Sequence, residues 1–169
     1  MSLLITPVHA KTDVQRLAGL ASEIWWQHFP PIIGKAQVEY MVKKFQSETA
    51  ILEQLEQGYD YFLAEIDGLA VGYTGLLPDA EAKKLMISKL YVKENARDNG
   101  VGQTLLDFIE KKCNTEGLDT LWLTVNRGNT GPINWYLKRG FRITKEVDMD
   151  IGEGFIMDDY IMEKDLHRD

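Results

Sequence analysis

The spacing of apolar residues divides the chain near residue 58. Before it the apolar positions fall mostly at helical intervals, and after it most segments have the character of strands. "LLITPV" (3–8) reads as a short strand. "VQRLAGLASEIWWQHF" reads as a helix capped by Thr12 or Asp13 and stopped by Pro30 and Pro31. A second helix is predicted over about Lys35 to Phe45, and a third is capped by Ser47 and ended by Gly58. "YDYFLAEI" (59–66) and "LAVGYTGLL" (69–77) flank "DG", a strong hairpin turn. "KKLMISKLYV" (83–92) makes a third strand of this group. A helix then runs from Gly100 to Gly117, with Val101, Leu105, Phe108, Ile109 and Cys113 on one face. "LDTLWLTVN" (118–126) is the next strand, and a strand–helix–strand unit of this kind should be parallel. A short helix over about Gly131 to Arg139, ended by Gly140, leads into "FRITKEVDMDI" and "FIMDDYIMEKDL", two strands joined at "GEG". The pattern implies an α+β fold in one domain over residues 1–169. It has a mixed, mostly antiparallel central sheet, flanking helices and one parallel crossing.

The start of the helix at "ARDNGVGQ" raises a chemical question. Glycine inside a helix costs roughly 1 kcal/mol relative to alanine, yet Gly100 and Gly102 both stand at this junction. The first amides of a helix lack internal partners and the dipole favours an anion there. The backbone of Asn99 to Gln103 could therefore cradle a phosphate, with Arg97 adding a charged contact. A glycine-containing turn without a ligand fits the two glycines equally well. The pattern G-x-x-x-x-G-K-[ST] is absent, and Leu105 stands where a third glycine of G-x-G-x-x-G would be. Neither a P-loop nor a dinucleotide-binding loop is indicated.

Composition narrows the classes. The net charge is −7 and there is no basic run, which speaks against nucleic acid as a partner. No apolar run is long enough for a membrane span, and "MSLLITPVHAKTD" has no basic n-region, so no leader is expected. The single cysteine, Cys113, suggests neither a disulfide framework nor a zinc cluster, and no metal site is expected. These features favour the cytoplasm. Residues 145–165 carry eight acids and two bases, a net of −6. They read either as a solvated hairpin face or as an attractor for a cationic substrate.

"ISKLYVKENARDNGVGQTLL" (87–106) resembles the signature of the GNAT superfamily of N-acetyltransferases, in Leu90, Tyr91, Val92, Arg97, Gly100 and Gly102. "LTVNRGNTGPINWYLKRGF" (123–141) is similar to that family's second block, in Asn129, Trp135, Tyr136, Gly140 and Phe141. The likeness covers about residues 59–166, and Pro132 departs from the usual small residue at a place where proline is tolerated. The resemblance implies a GNAT-type sheet with a splayed parallel strand pair and acetyl-CoA as acyl-donor cosubstrate. It places the pyrophosphate over Arg97, Asp98, Asn99, Gly100, Val101, Gly102 and Gln103. The pantetheine arm then lies beside Leu90, Tyr91 and Val92, with Asn129 contacting the cofactor. It also implies direct attack within a ternary complex, and dimers are common in the superfamily.

Acetyl transfer to an amine needs a neutral nucleophile, and an alkylamine of pKa about 10.4 is neutral at pH 7 only about once in 2,500 molecules. It also needs a donor for the oxyanion, expected from an amide near Val92, and a proton or hydrogen bond for the leaving thiolate. The family places a tyrosine at Tyr136, which gives that residue the thiolate role and contact with the cofactor. The base is not fixed by the sequence: His28, Glu23, Glu39, Tyr40, Glu65 and Ser88 are candidates. Trp25 and Trp26 could line an acceptor cleft, and Trp26, His28 and Tyr40 are the residues expected at the substrate. The C-terminal stretch is similar to that of small bacterial-type GNAT enzymes, polyamine acetyltransferases among them, so spermidine or spermine is an expected acceptor. A protein N-terminus or lysine, an amino acid and an amino-sugar antibiotic remain alternatives, as does a CoA-binding regulatory module without turnover.

Overall fold

The computed structural model describes residues 3–166. Its strands are β1 (Leu3–Pro7), β2 (Asp60–Ile66), β3 (Leu69–Asp79), β4 (Lys84–Val92), β5 (Thr120–Asn126), β6 (Arg142–Gly152) and β7 (Phe155–Asp165). Its helices are α1 (Lys11–His28), α2 (Pro30–Ile33), α3 (Lys35–Phe45), α4 (Glu48–Glu56), α5 (Val101–Glu116) and α6 (Thr130–Leu137). A 3₁₀ turn over Glu94–Asn99 leads into α5.

The strands form one seven-stranded sheet in the order β1-β2-β3-β4-β5-β7-β6. Every neighbouring pair is antiparallel except β4 and β5. Those two pair only at Lys84–Thr120, Leu85–Leu121 and Met86–Trp122, although β4 continues to Val92 and β5 to Asn126. The expected mixed sheet with a splayed parallel pair is thus present.

Just past the last of these pairs, β4 changes which way its side chains face. Leu76 opposes Ile87 and Gly75 opposes Lys89, so Ser88 is an extra residue in the ladder with β3. Before the bulge, Leu85 and Ile87 pack with Leu106, Ile109 and Cys113 of α5. After it, Leu90 and Val92 take the α5 side, against Val101 and Leu105. Lys89 and Tyr91 turn to the opposite side, where Tyr91 meets α1. Without the bulge, strict alternation would have put Lys89 and Tyr91 under α5.

The sheet is covered on both faces. Val14, Leu17, Ala21 and Ile24 of α1 pack on Tyr61, Leu63 and Tyr73. Ala64, which alternates with Leu63, faces α5 instead. A third cluster joins Trp25, Phe29, Val38 and Met41 to Ile151, docking the tip of the β6–β7 hairpin on α1 to α3. The Tyr40 hydroxyl and the Lys44 ammonium both donate to Ile151 O, each at 2.5 Å, and fasten that contact.

One local expectation is corrected and another is extended. Ala10, not Thr12 or Asp13, caps α1; Asp13 sits at the third helical position and accepts from the Ala10 amide at 3.3 Å. α1 ends at His28, ahead of Pro30 and Pro31 as expected, and the two prolines also open the one-turn α2, because proline is tolerated where helical amides are unpaired anyway. Ser47 does cap the following helix, accepting from Ala50 N at 3.2 Å.

The core clusters set an expectation for stability. Leu105→Ala removes a fully buried side chain between α5 and the sheet and should cost about 3 kcal/mol. Leu69→Ala, at a position 71% exposed, should change stability by less than about 0.5 kcal/mol. Urea denaturation of the two variants against the parent chain measures both.

Candidate active site

The divergence of β4 and β5 opens a cavity of about 950 Å³. Past Met86 and Trp122 the facing strand edges exchange no ladder hydrogen bonds, so extended polar backbone is offered to a ligand. Ser88 to Val92 line the cavity from β4, and Leu123 to Asn126 line it from β5. Trp25, His28 and Phe29 close it from α1, and Tyr136 from α6. Met149, Ile151, Met157 and Asp159 close it from the hairpin.

One end of this space is the start of α5. Gly100 has φ +71°, a left-handed conformation that only glycine adopts without strain. No side chain caps the helix, and its first bond is from Thr104 N to Gly100 O, so the amides of Val101, Gly102 and Gln103 have no helical partner. A Cβ on Gly102 would come within 3.2 Å of the Trp135 ring, so the second glycine answers to a close approach by α6. Arg97 lies at the rim, its Nε donating to Val92 O at 3.3 Å. Arg139 reaches the same rim from beyond α6, donating to Gln103 Oε1 at 2.6 Å while its guanidinium lies 3.8 Å from the Trp135 ring centroid. Unpaired amides and two guanidiniums without a nearby acid in the helix's first turn can receive a pyrophosphate. The cradle therefore fits the diphosphate of a nucleotide-type ligand.

The sequence-chosen residues divide by position. Leu90, Tyr91, Val92, Arg97, Gly100, Gly102, Gln103, Asn129, Tyr136 and His28 line the cavity. Asp98 and Asn99 lie in the exposed 3₁₀ turn, and the Val101 side chain is buried in the core, so only its amide is available. Trp26 is 41% exposed and points away, because a helix turns about 100° per residue and Trp25 takes the inward position. Tyr40 lies outside the cavity lining, its hydroxyl fixed on Ile151 O. Among the candidate bases, Glu23 pairs with Lys93, and Glu65 pairs with Arg16 of α1 toward the β1 edge of the sheet, outside the cavity lining. His28 Nε2 lies 2.8 Å from Asn129 Oδ1, which spends that ring nitrogen on holding the loop before α6.

Three lining groups were not singled out by sequence. Arg139 was seen only as the end of a helix. Lys89 is 5% exposed; its ammonium donates to Phe45 O and, at 3.1 Å, to Gln54 Oε1. Burial lowers its pKa to about 7. Asp159 was counted among the acids of the hairpin, yet it is 1% exposed and its Oδ1 has no hydrogen-bond partner among the described residues. Desolvation is the largest cause that raises its pKa, to about 6; Asp158 adds to it, while Arg127 and Thr124 act in the opposite sense. Desolvation also raises the Tyr91 and Tyr136 phenols above the usual tyrosine value, so both are protonated across the physiological range. Period-two alternation along β7, had the inward face been assigned, would have marked Asp159 as the buried member of the Asp158–Asp159 pair. No helix among the described residues is long and apolar enough to cross a membrane.

Residues 20–141 match the model of the acetyltransferase (GNAT) family. A spermidine N(1)-acetyltransferase of Thermoplasma acidophilum is 26% identical over 151 residues, covering 86% of this chain and 90% of that one. An amino-acid acetyltransferase of Pseudomonas aeruginosa is 31% identical over 91 residues, covering 53% of this chain and 20% of that one. A crystal structure of PaiA N-acetyltransferase from Thermoplasma acidophilum, in complex with coenzyme A, superposes with a TM-score of 0.83 at 25% identity. It covers 98% of this chain and 100% of that chain. A GNAT-family acetyltransferase from Staphylococcus aureus Mu50 shares the fold, with a TM-score of 0.75 at 19% identity over 98% of this chain and 100% of that one.

The incompletely paired carboxylate of Asp159 has a thermodynamic consequence. A carboxyl at about 6 in the folded chain and 3.8 in the unfolded chain binds more protons when folded between those pH values. Stability is therefore drained as pH rises through that window, and the cost is complete above it. Asp159→Asn removes the ionisation. The variant should be more stable than the parent by about 2 kcal/mol at pH 7.5, with the difference shrinking toward zero near pH 4. Thermal melts across that range measure it.

Proposed function

The chain belongs to the acetyltransferase (GNAT) family and is an acetyl-CoA-dependent N-acetyltransferase; on that premise we propose that its acceptor is a primary amine of a polyamine such as spermidine or spermine. The observation that carries this is the continuity of the cavity. It runs from the unpaired amides of α5 to a hairpin whose inner wall holds a buried carboxylate and whose outer face is acidic. A slender polycation can pass along the acidic hairpin and present one terminal nitrogen to the thioester between β4 and β5. Arg127 gathers Glu146, Asp148 and Asp158, while Asp150 and Glu153 remain exposed toward the hairpin tip. The likeness to a spermidine acetyltransferase along most of both chains supports the same acceptor class.

In this reading the amides of Val101 to Gln103, with Arg97 and Arg139, hold the pyrophosphate. The open edges of β4 and β5 hold the pantetheine arm, and Asn129, steadied by His28, contacts it from the loop before α6. A β4 amide near Val92 supports the oxyanion. Tyr136 serves the departing sulfur as a hydrogen-bond donor. Its raised pKa keeps the phenol intact and makes complete proton release from it costly, so the role is stabilisation of the thiolate more than full acid catalysis.

Two measurements test the reading. With spermidine, steady-state turnover is expected, and KM should rise several-fold between low and 0.3 M salt as the acidic attraction is screened; no turnover, or a KM indifferent to salt, removes the polyamine. Tyr136→Phe should lower kcat about 100-fold while the Kd for acetyl-CoA, read by calorimetry, stays within about twofold. An unchanged kcat would leave Tyr136 as a packing residue.

A further inference from the structure

Asp158 and Asp159 stand side by side on β7 with opposite fates. Asp158 is exposed and pairs with Arg127. Asp159 points the other way, into the cavity, where its Oδ1 meets no donor among the described residues. Buried carboxylates are ordinarily paired or hydrogen-bonded. The charged and titratable groups around this one are the Tyr91 phenol from β4, Arg127 from the turn after β5, and Asp158 on its own strand; Thr124 of β5 adds a hydroxyl. Arg127 spends its terminal nitrogens on Glu146, Asp148 and Asp158; its Nε has no hydrogen-bond partner among the described residues, and it offsets the Asp159 charge in part without pairing with it. Of the basic groups on the wall, Lys89 donates to Phe45 O and Gln54, His28 is held by Asn129, and Arg97 and Arg139 stand at the start of α5. The cavity thus holds a buried carboxylate that forms no ion pair among the described residues and has one oxygen without a hydrogen-bond partner.

We propose that Asp159 is the carboxylate that receives the acceptor's ammonium group and takes its proton, so that the freed amine can attack the thioester. The assignment rests on the acetyl-transfer reading of this same site. The ammonium pairs with the Asp159 carboxylate, and one N–H proton passes to a carboxylate oxygen. The nitrogen lone pair then forms the C–N bond to the acetyl carbon, and the C–S bond breaks with its electrons remaining on sulfur. The second proton lost from nitrogen completes the CoA thiol, at the position served by the Tyr136 hydroxyl. The proton on Asp159 returns to water as the amide leaves.

The surroundings bring the two proton affinities together. Burial lifts Asp159 from 3.8 to about 6 and lowers Lys89, an alkylammonium in the same cavity, from 10.5 to about 7. Desolvation in this cavity pushes an entering amine in the same sense as Lys89, while pairing with the Asp159 carboxylate opposes that push. Poor solvation of both charged forms narrows the gap in proton affinity relative to water, which eases the transfer.

The test is Asp159→Asn, nearly isosteric and checked for folding by circular dichroism, assayed beside the wild type on spermidine and on a wider panel of primary amines. The wild-type kcat/KM should rise through about pH 6 on its acid side. In the variant kcat/KM at pH 7.5 should fall at least about 100-fold and that limb should vanish. Acetyl-CoA affinity by calorimetry should stay within about twofold. An active wild type with a variant within threefold of it, or a variant that keeps the limb near pH 6, overturns the assignment alone. A loss confined to acetyl-CoA binding also overturns it, by moving the carboxylate to the donor's side. A wild type inert on every amine overturns the acetyl-transfer reading, and this assignment with it.

Discussion

The ladder between β4 and β5 stops after three pairs, and the site depends on that stop. Parallel strands joined by a helix normally stay in register to their ends, because each abandoned pair leaves two backbone groups unsatisfied. Here the abandoned pairs lie between Met86–Trp122 and the strand ends, within a covered sheet. The bulge at Ser88 comes immediately after the last pair, and bulges raise local twist and bend the strand that carries them. β4 stays paired with β3 on both sides of the bulge while leaving β5. β5 stays with β7 along its whole length. The sheet therefore parts along one seam and remains continuous on both sides of it. The unsatisfied edges of that seam are the polar surface a pantetheine amide chain can match.

The same bulge decides what lines the opening. It hands Leu90 and Val92 to α5, so the helix that offers its amides to phosphate is packed directly on the strand that borders the thioester. It also hands Lys89 and Tyr91 to the side of α1 and α4. There, burial of an ammonium and a phenol creates an environment hostile to charge. That hostility weakens the fold and serves the chemistry. An alkylammonium that loses its proton easily and a carboxyl that keeps one readily are both expressions of poor solvation.

Much of this was legible in the sequence because it is carried by local patterns. The change from helical to strand periodicity near residue 58, the "DG" turn and the Gly100–Gly102 junction follow from spacing, dihedral need and unpaired amides. The parallel crossing around α5 follows from element order. Splaying itself was expected only through the family likeness, since no local pattern tells a paired strand end from an open one. The assignments that depend on which face a side chain takes fared differently. Trp25 and Trp26 are equivalent as letters, and a single helical step sends one into the cavity and the other to solvent. Tyr40 looked available for a ligand, but its hydroxyl closes a contact 111 residues away, at Ile151. Both outcomes are set by tertiary packing, which periodicity in a single element does not encode. The two glycines were read for one purpose and have two: Gly100 supplies a left-handed turn, and Gly102 makes room for Trp135.

The acidic hairpin shows most plainly how composition and geometry separate. Eight acids in 145–165 suggested either a solvated face or an attractor, as if they acted together. In the fold Glu163 and Asp165 pair with Lys84 and Arg142, and the other six do three different things. Glu146, Asp148 and Asp158 surround Arg127, which neutralises part of their charge and braces the hairpin against the turn after β5. Asp150 and Glu153 stay in water near the tip. Asp159 is turned inward, and Arg127, whose terminal nitrogens serve the outer acids, offsets its charge only in part. The outer acids thereby contribute to the inner one: by holding the nearest cation they leave Asp159 incompletely paired. Its charge is then neutralised by a proton below about pH 6, or by an incoming cation above it. A carboxylate kept short of a partner by its own surroundings favours a positively charged ligand through relief of desolvation, and the same relief discriminates against neutral molecules of similar shape.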